Sequence, residues 1–267
     1  MLLAACLAPA HRDAATSAVR DTAAAGGVTQ HRTALTSLTG PGAGVVDVYS
    51  KLNDHGLRAA GSGIVVDAAG DVLTNYHVIR GALRIRVTEP NGTPHRATVL
   101  GADPTHDLAL LTVHAPWSPS AATIGDSSSV AVGDFVEAVG NAGGGGGMPS
   151  LAFGMVTALN QSITATDDNG SHPEHLQGLI VTNADIQPGD SGGPLLNKAG
   201  QVVGMDTAAV TGGIAQAATP EAYAIPINTA MAFVGQVKSG QPVDTSTTQR
   251  KRHHRGRAGT HRRSRGS

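Results

Sequence analysis

Apolar residues along this chain come in short runs of three to seven, rich in Val, Ile, Leu and Ala, and punctuated by Gly, Asp, Asn and Pro. Runs of that length between turn residues predict strands. Six fall at residues 45–49, 60–66, 72–75, 84–88, 97–100 and 108–113. Six more fall at 135–139, 153–159, 179–182, 194–196, 202–206 and 222–225. The Pro-punctuated stretch 115–120 separates the two groups. One segment has a different rhythm: over 228–238, Met231, Phe233, Val234 and Val237 fall roughly on one side, which predicts a closing helix. The chain therefore reads as all-β with a C-terminal helix.

Composition sharpens this picture. The 267 residues include 35 glycines and only 3% aromatics, which suits tight turns between small barrels or sheets. A single cysteine, Cys6, excludes an intrachain disulfide. The net charge of −1 hides an asymmetry: eight of the 19 Lys and Arg lie in residues 250–267, where there is no acid. Residues 241–267 are thus expected to be a disordered basic tail on an acidic body. Such a tail is suited to anionic envelope polymer or lipid, through release of counterions, with no sequence-specific nucleic-acid binding expected. Residues 1–43 read as an export segment and linker. Met1 to Ala8 is apolar yet too short to span a bilayer. Leu3-Ala4-Ala5-Cys6 has the form of a lipobox, and a usable signal needs more sequence upstream. The expectation is an exported protein of the cell envelope or exterior, with two readings open: lipidation at Cys6, or a shortened ordinary signal peptide.

The chemistry concentrates in Gly189-Asp190-Ser191-Gly192-Gly193-Pro194. A serine between glycines, after a Pro-Gly turn, lets the backbone fold tightly about one hydroxyl and aim several N–H groups at one point. Acyl transfer needs that combination of nucleophile and preformed oxyanion donors. A base and an orienting carboxylate must then lie elsewhere. His77 stands at the exit of the second strand of a predicted hairpin, after the turn at 67–71. Asp107 stands just before the apolar run 108–113. The chain order His, Asp, Ser is that of the chymotrypsin-type triad, distinct from the subtilisin and α/β-hydrolase orders. The run Asn141-Ala142-Gly143-Gly144-Gly145-Gly146-Gly147 lacks the following helix and lysine of a phosphate loop. It reads as a flexible loop near the cleft.

With TNYHVI, HDLALL, QPGDSGGPLLN and YAIPINTA in order, the chain resembles the trypsin-like serine proteases of the bacterial HtrA/Deg group, over about residues 45 to 237. The resemblance implies two six-stranded antiparallel β-barrels, at about 44–116 and 121–227, within a protease domain of 44–240. It implies that Ser191 attacks the scissile carbonyl, that His77 carries the proton and that Asp107 orients the imidazole. The N–H groups of Gly189 and Ser191 would form the oxyanion hole. Protein or peptide substrates are expected, and neither metal nor organic cofactor. Relatives often continue into a PDZ domain, which is not expected here, and they often trimerise, which keeps a homo-oligomer in view.

Six positions before the nucleophile, where trypsin selects basic P1 residues with an aspartate, this chain has Asp185. HtrA proteins prefer small or medium apolar P1 residues, and Asn183 stands where their aspartate would be. Either Asp185 confers a basic preference, or the loop points it elsewhere. Asp190 stands where most of the group has Asn. With no obvious activation terminus in sequence, it is expected to cap local N–H groups. Two other readings stay open: a catalytically silent or ligand-activated relative acting as a binding module, and an esterase.

Overall fold

The computed structural model describes residues 44–52, 58–114, 116–165, 174–209 and 221–241. Twelve strands form two closed antiparallel barrels. The first comprises β1 (Val45–Lys51), β2 (Arg58–Val65), β3 (Val72–Thr74), β4 (Arg84–Thr88), β5 (Pro94–Asp103) and β6 (Leu108–Val113), paired in the order β1-β2-β3-β6-β5-β4. The second comprises β7 (Phe135–Gly140), β8 (Ser150–Ala165), β9 (Glu174–Thr182), β10 (Pro194–Leu196), β11 (Val202–Ala209) and β12 (Ala222–Pro226), ordered β10-β11-β12-β9-β8-β7. One helical turn, α1 (Tyr76–Ile79), follows β3, and α2 (Ile227–Lys238) follows β12.

The burial pattern tells what each strand faces. Along β4 exposed and buried residues alternate, as a strand with one wet face requires. Every residue of β2 after Arg58 is buried, because its two faces meet the barrel interior and the second barrel. Small barrels are filled by side chains alone, and here the filling is Val, Leu, Ile and Ala. Val48, Val65, Val72, Val87 and Leu111 pack inside the first barrel. A second cluster joins Val45, Ile64, Leu73, Leu108 and Leu110 of the first barrel to Leu196, Met205, Tyr223, Ile225 and Phe233. Each such side chain contributes about 1.5–3 kcal/mol on burial, so the joint between barrels is as apolar as their interiors. Helix α2 closes over it, and Lys238 reaches between Asp67 and Asp71 of the β2–β3 turn, 2.9 Å from Asp71.

All twelve predicted strands are present, and several are longer than their apolar runs, β5, β8 and β9 most of all. β8 and β9 continue as a paired ribbon to Ala165 and Glu174, beyond the barrel wall. Residues 174–177, which lie outside the predicted strands, belong to that ribbon, and His175 bonds Thr164 across it. The cause is periodicity: exposed polar residues fall between Ile163, Ala165 and Leu176, which pack on the core, so no apolar run is left to detect.

Candidate active site

The base half is built around one turn of helix. β3 ends at Thr74, and Asn75 leads into α1 with extended backbone angles. All of α1 is buried, so its placement must satisfy its own polar groups. Asp107 does this. Its carbonyl accepts from the Tyr76 N–H (3.1 Å) and the Asn75 side-chain amide (3.0 Å). Its Oδ1 accepts from the His77 N–H (2.9 Å), and its Oδ2 lies 2.8 Å from His77 Nδ1. Asp107 has a φ of 55°, a left-handed conformation that Asp tolerates better than most residues. Since a carboxylate only accepts, the network assigns the imidazole hydrogen to Nδ1 and leaves Nε2 as the acceptor. A third donor comes from the second barrel: Thr207 Oγ1 donates to Asp107 Oδ2 at 2.7 Å.

Electrostatics follow from that geometry. Burial pulls the His77 pKa down, but the charge and hydrogen bond of Asp107, with a contribution from Glu174, outweigh it and leave the pKa above 6.5. Arg80 opposes this shift. Arg80 Nη1 and Glu174 Oε1 form an ion pair at 2.9 Å that joins the two barrels beside the histidine. His77, Asp107 and Glu174 offer ligand atoms within 4.8 Å of one another, the one such trio among the described residues. Asp107 is already engaged by His77 and Thr207 and Glu174 by Arg80, so protein bonds account for the trio.

The nucleophile half is built from main chain. In the turn from Pro188 to Ser191 every carbonyl has a partner. Pro188 accepts from the Gly143 N–H (2.7 Å), Gly189 from Ser62 Oγ (2.9 Å), Asp190 from the Gly193 N–H (2.8 Å) and Ser191 from the Ser62 N–H (2.8 Å). The Asp190 N–H donates to Gln187 (3.0 Å) and the Gly192 N–H to Asp206 (2.8 Å). The N–H groups of Gly189 and Ser191 donate to none of the described residues. Each peptide is planar and trans, so fixing its carbonyl fixes its N–H on the opposite side. Two donors with no partner among the described residues are thereby held in fixed directions. Gly189 must be glycine: its φ is 105°, and a Cβ would overlap the Asn141 carbonyl.

Serine and histidine meet without a bond between them. Ser191 Oγ donates to the Thr207 carbonyl at 3.4 Å, and His77 Nε2 is buried with no hydrogen-bond partner among the described residues. Serine–histidine bonds of this kind commonly tighten only when substrate binds.

The remaining predicted residues fall as follows. Asp185 is exposed, its carboxylate bonded by the Gln187 side chain, while its neighbours Ala184 and Ile186 are buried. Asp190 caps backbone as expected: its Oδ2 accepts from the Gln187 N–H (2.9 Å) and its Oδ1 from Ser150 Oγ (3.1 Å). Burial nevertheless raises its pKa. Cys6 and the basic tail lie outside the described residues. The Gly-rich run, read as flexible, is tied down instead, by the Gly143 bond to Pro188 and by the Gly146 N–H to Asn141 Oδ1 at 2.7 Å. Sequence reasoning missed Thr207, Ser62 and Asp206. Asp206 is fully buried, bonds no described residue through its carboxylate, and is pushed well above the usual aspartate range by desolvation and by Asp190. A polar residue inside an apolar run was the one available signal, as in Gly61-Ser62-Gly63.

Two perpendicular needs, a buried His–Asp pair on one barrel and a serine in a pinned turn on the other, define a chymotrypsin-type two-barrel arrangement. Residues 61–205 match the family model described as trypsin-like peptidase domain. The chain is 36% identical over 188 residues to the periplasmic serine endoprotease DegP of Salmonella typhimurium, covering 68% of this chain and 38% of that protein. It is 35% identical over 181 residues to the chloroplastic protease Do-like 1 of Arabidopsis thaliana, covering 67% of this chain and 39% of the relative. Among solved structures it is similar to the HtrA-type protease AlgW with tripeptide, with a TM-score of 0.64 and 29% identity over 78% of this chain and 64% of that one. The chain belongs to the trypsin-like peptidase family, with relatives in its HtrA/DegP group. It spans less than half the length of the curated relatives it matches.

Proposed function

We propose that this protein is a serine endopeptidase working through His77, Asp107 and Ser191. The observation that carries the reading is the pair of N–H groups, Gly189 and Ser191, that donate to none of the described residues, together with a buried histidine whose Nδ1 is committed to Asp107. A substrate carbonyl oxygen placed between those N–H groups brings its carbon to Ser191 Oγ. The hydroxyl leaves the Thr207 carbonyl and turns to His77 Nε2. As Oγ bonds to the carbon, its proton passes to Nε2, and Asp107 stabilises the imidazolium. The oxyanion is held by the two N–H groups, each worth roughly 10²–10³ in rate. The C–N bond breaks as the amine takes the proton from Nε2, leaving an acyl-enzyme on Ser191. Water then repeats the sequence and releases the acid.

The names of the relatives support export and protein substrates, and unfolded or envelope proteins are the proposed class. For P1, the exposure of Asp185 beside buried Ala184 and Ile186 favours a small or medium apolar residue over a basic one. A P1 library compared between the protein and Asp185→Ala tests this, with unchanged selectivity expected. No helix among the described residues is long and apolar enough to cross a membrane.

The test of the activity is labelling by a fluorophosphonate together with cleavage of unfolded casein. Both are expected in the protein and both are expected to vanish in Ser191→Ala. A ligand-activated or binding role is favoured by one observation, the missing bond between Ser191 and His77. Absence of labelling in the unmodified protein would move the conclusion there.

A further inference from the structure

We propose that Ser62, on the first barrel, is a positioning residue for the oxyanion donors of the second barrel. The proposal rests on the protease reading above. Ser62 lies in the middle of β2 and is completely buried. Nothing about a barrel interior asks for a hydroxyl there, and burying one unpaired is costly. Each of its polar groups is used, and its partners on the second barrel are the nucleophile turn and Asn141 at the root of the Gly-rich loop. The Ser62 N–H donates to the Ser191 carbonyl at 2.8 Å. Its Oγ donates to the Gly189 carbonyl at 2.9 Å and accepts from the Asn141 N–H at 2.9 Å. Its own carbonyl accepts from Thr74 Oγ1 at 2.7 Å, which anchors the strand to β3 just before His77.

The peptides that Ser62 holds are 189–190 and 191–192. They flank peptide 190–191, which carries the Ser191 N–H, and the first of them adjoins peptide 188–189, which carries the Gly189 N–H. Asn141 is also the residue whose side chain receives the Gly146 N–H and whose carbonyl receives the Gly144 N–H (2.8 Å). The same loop delivers the Gly143 N–H to the Pro188 carbonyl. One hydroxyl thus fixes a carbonyl inside the turn and the root of the loop that fixes the peptide before it. Gly192 fits this clamp only as glycine: its φ is 89°, and a Cβ would overlap the Ser62 carbonyl. Orientation of the donors is in this way made conditional on the two barrels being docked.

The test compares the full chain with Ser62→Ala and with Ser62→Cys, which restores a weaker donor. Loss of one oxyanion donor lowers kcat roughly 10²–10³-fold, and a misaimed donor falls short of that. For Ser62→Ala the expected result is a fall of about 10–100-fold in kcat with KM within about threefold. Affinity for a peptide boronate, which fills the oxyanion site, should fall by the same factor. Affinity of an uncleaved peptide for a Ser191→Ala protein should not change when Ser62→Ala is added. Ser62→Cys should lie between. Wild-type kcat and boronate affinity in Ser62→Ala would overturn the proposal, as would equal losses for boronate and peptide. Absence of a cooperative thermal transition in both variants would overturn it too, by assigning the hydroxyl to folding. Failure of the unmodified protein to react with the fluorophosphonate would instead remove the protease reading itself.

Discussion

The two halves of the candidate site are assembled from different materials. The base half is a set of side chains: His77 and Asp107, with Thr207 reaching across from the other barrel. The nucleophile half is a set of peptide planes, pinned through their carbonyls by Gly143, Gly193 and Ser62. A side-chain constellation is vulnerable to substitution and to protonation. A peptide constellation is largely blind to pH and vulnerable to geometry. The contrast divides the possible injuries to this protein into two kinds.

Substitutions sharpen the contrast in descending order. Asp107→Asn keeps the shape of the base half but favours the wrong imidazole tautomer. Its activity on a peptide substrate is expected to fall about 10⁴-fold. On the other half, Gly189→Ala adds one methyl to a backbone at positive φ and against the Asn141 carbonyl. Steady-state kinetics should show kcat lower by roughly 10²–10³ with KM much less affected. Equal losses in kcat for Gly189→Ala and Gly81→Ala would break the distinction, since Gly81 also has positive φ but its Cβ meets nothing. Thr207→Val removes one of the donors to Asp107; a hydrogen bond to a charged group is worth about 1.5–3 kcal/mol, so a loss of roughly 10–100-fold is expected in kcat/KM.

The pH profile provides a finer test. The proposed mechanism requires neutral His77, so activity is expected to be lost as pH falls through the His77 pKa, which Asp107 raises above the ordinary imidazole value. Glu174 raises that pKa and Arg80 lowers it. Glu174→Gln should therefore move the acid limb to lower pH and Arg80→Ala to higher pH. The nucleophile-half variant Gly189→Ala should leave the limb in place. Movement of both charge variants in the same direction would show that the ion pair acts on shape and not on charge.

The smallest effect concerns stability. Burial pushes the Asp47 carboxyl up to about 6, against hydrogen bonds from Tyr49 and Gly147 that lower it. A raised carboxyl favours the folded state most at low pH and loses that advantage as pH rises through about 6. Asp47→Asn should thus raise Tm at pH 7.5, and the gain should vanish near pH 4.

Legibility in the sequence followed the same division. The twelve strands were readable because buried strands are continuous apolar runs and the turns are marked by glycine and proline. The ribbon of β8 and β9 was not, because only Ile163, Ala165 and Leu176 along it turn to the core, between exposed polar residues. His77, Asp107 and Ser191 were nameable because acyl transfer demands those residue types in that order. Thr207 was not, since nothing local announces a hydroxyl that serves a carboxylate one hundred residues earlier. Nor was Ser62, whose partners are carbonyl groups that every residue has. The Gly-rich run misled because glycine permits flexibility and equally permits a backbone to pass close to another; only the fold decides which.

The bond from Thr207 to Asp107 and the grip of Ser62 on Gly189 and Ser191 mean that neither barrel owns a complete site. The proposed catalytic centre lies at an interface between two barrels that one peptide segment through residues 116–120 joins. Severing that segment would make hydrolysis bimolecular. Its rate would then follow the concentration of the two pieces, and the chain could be read as a reporter of its own reassembly.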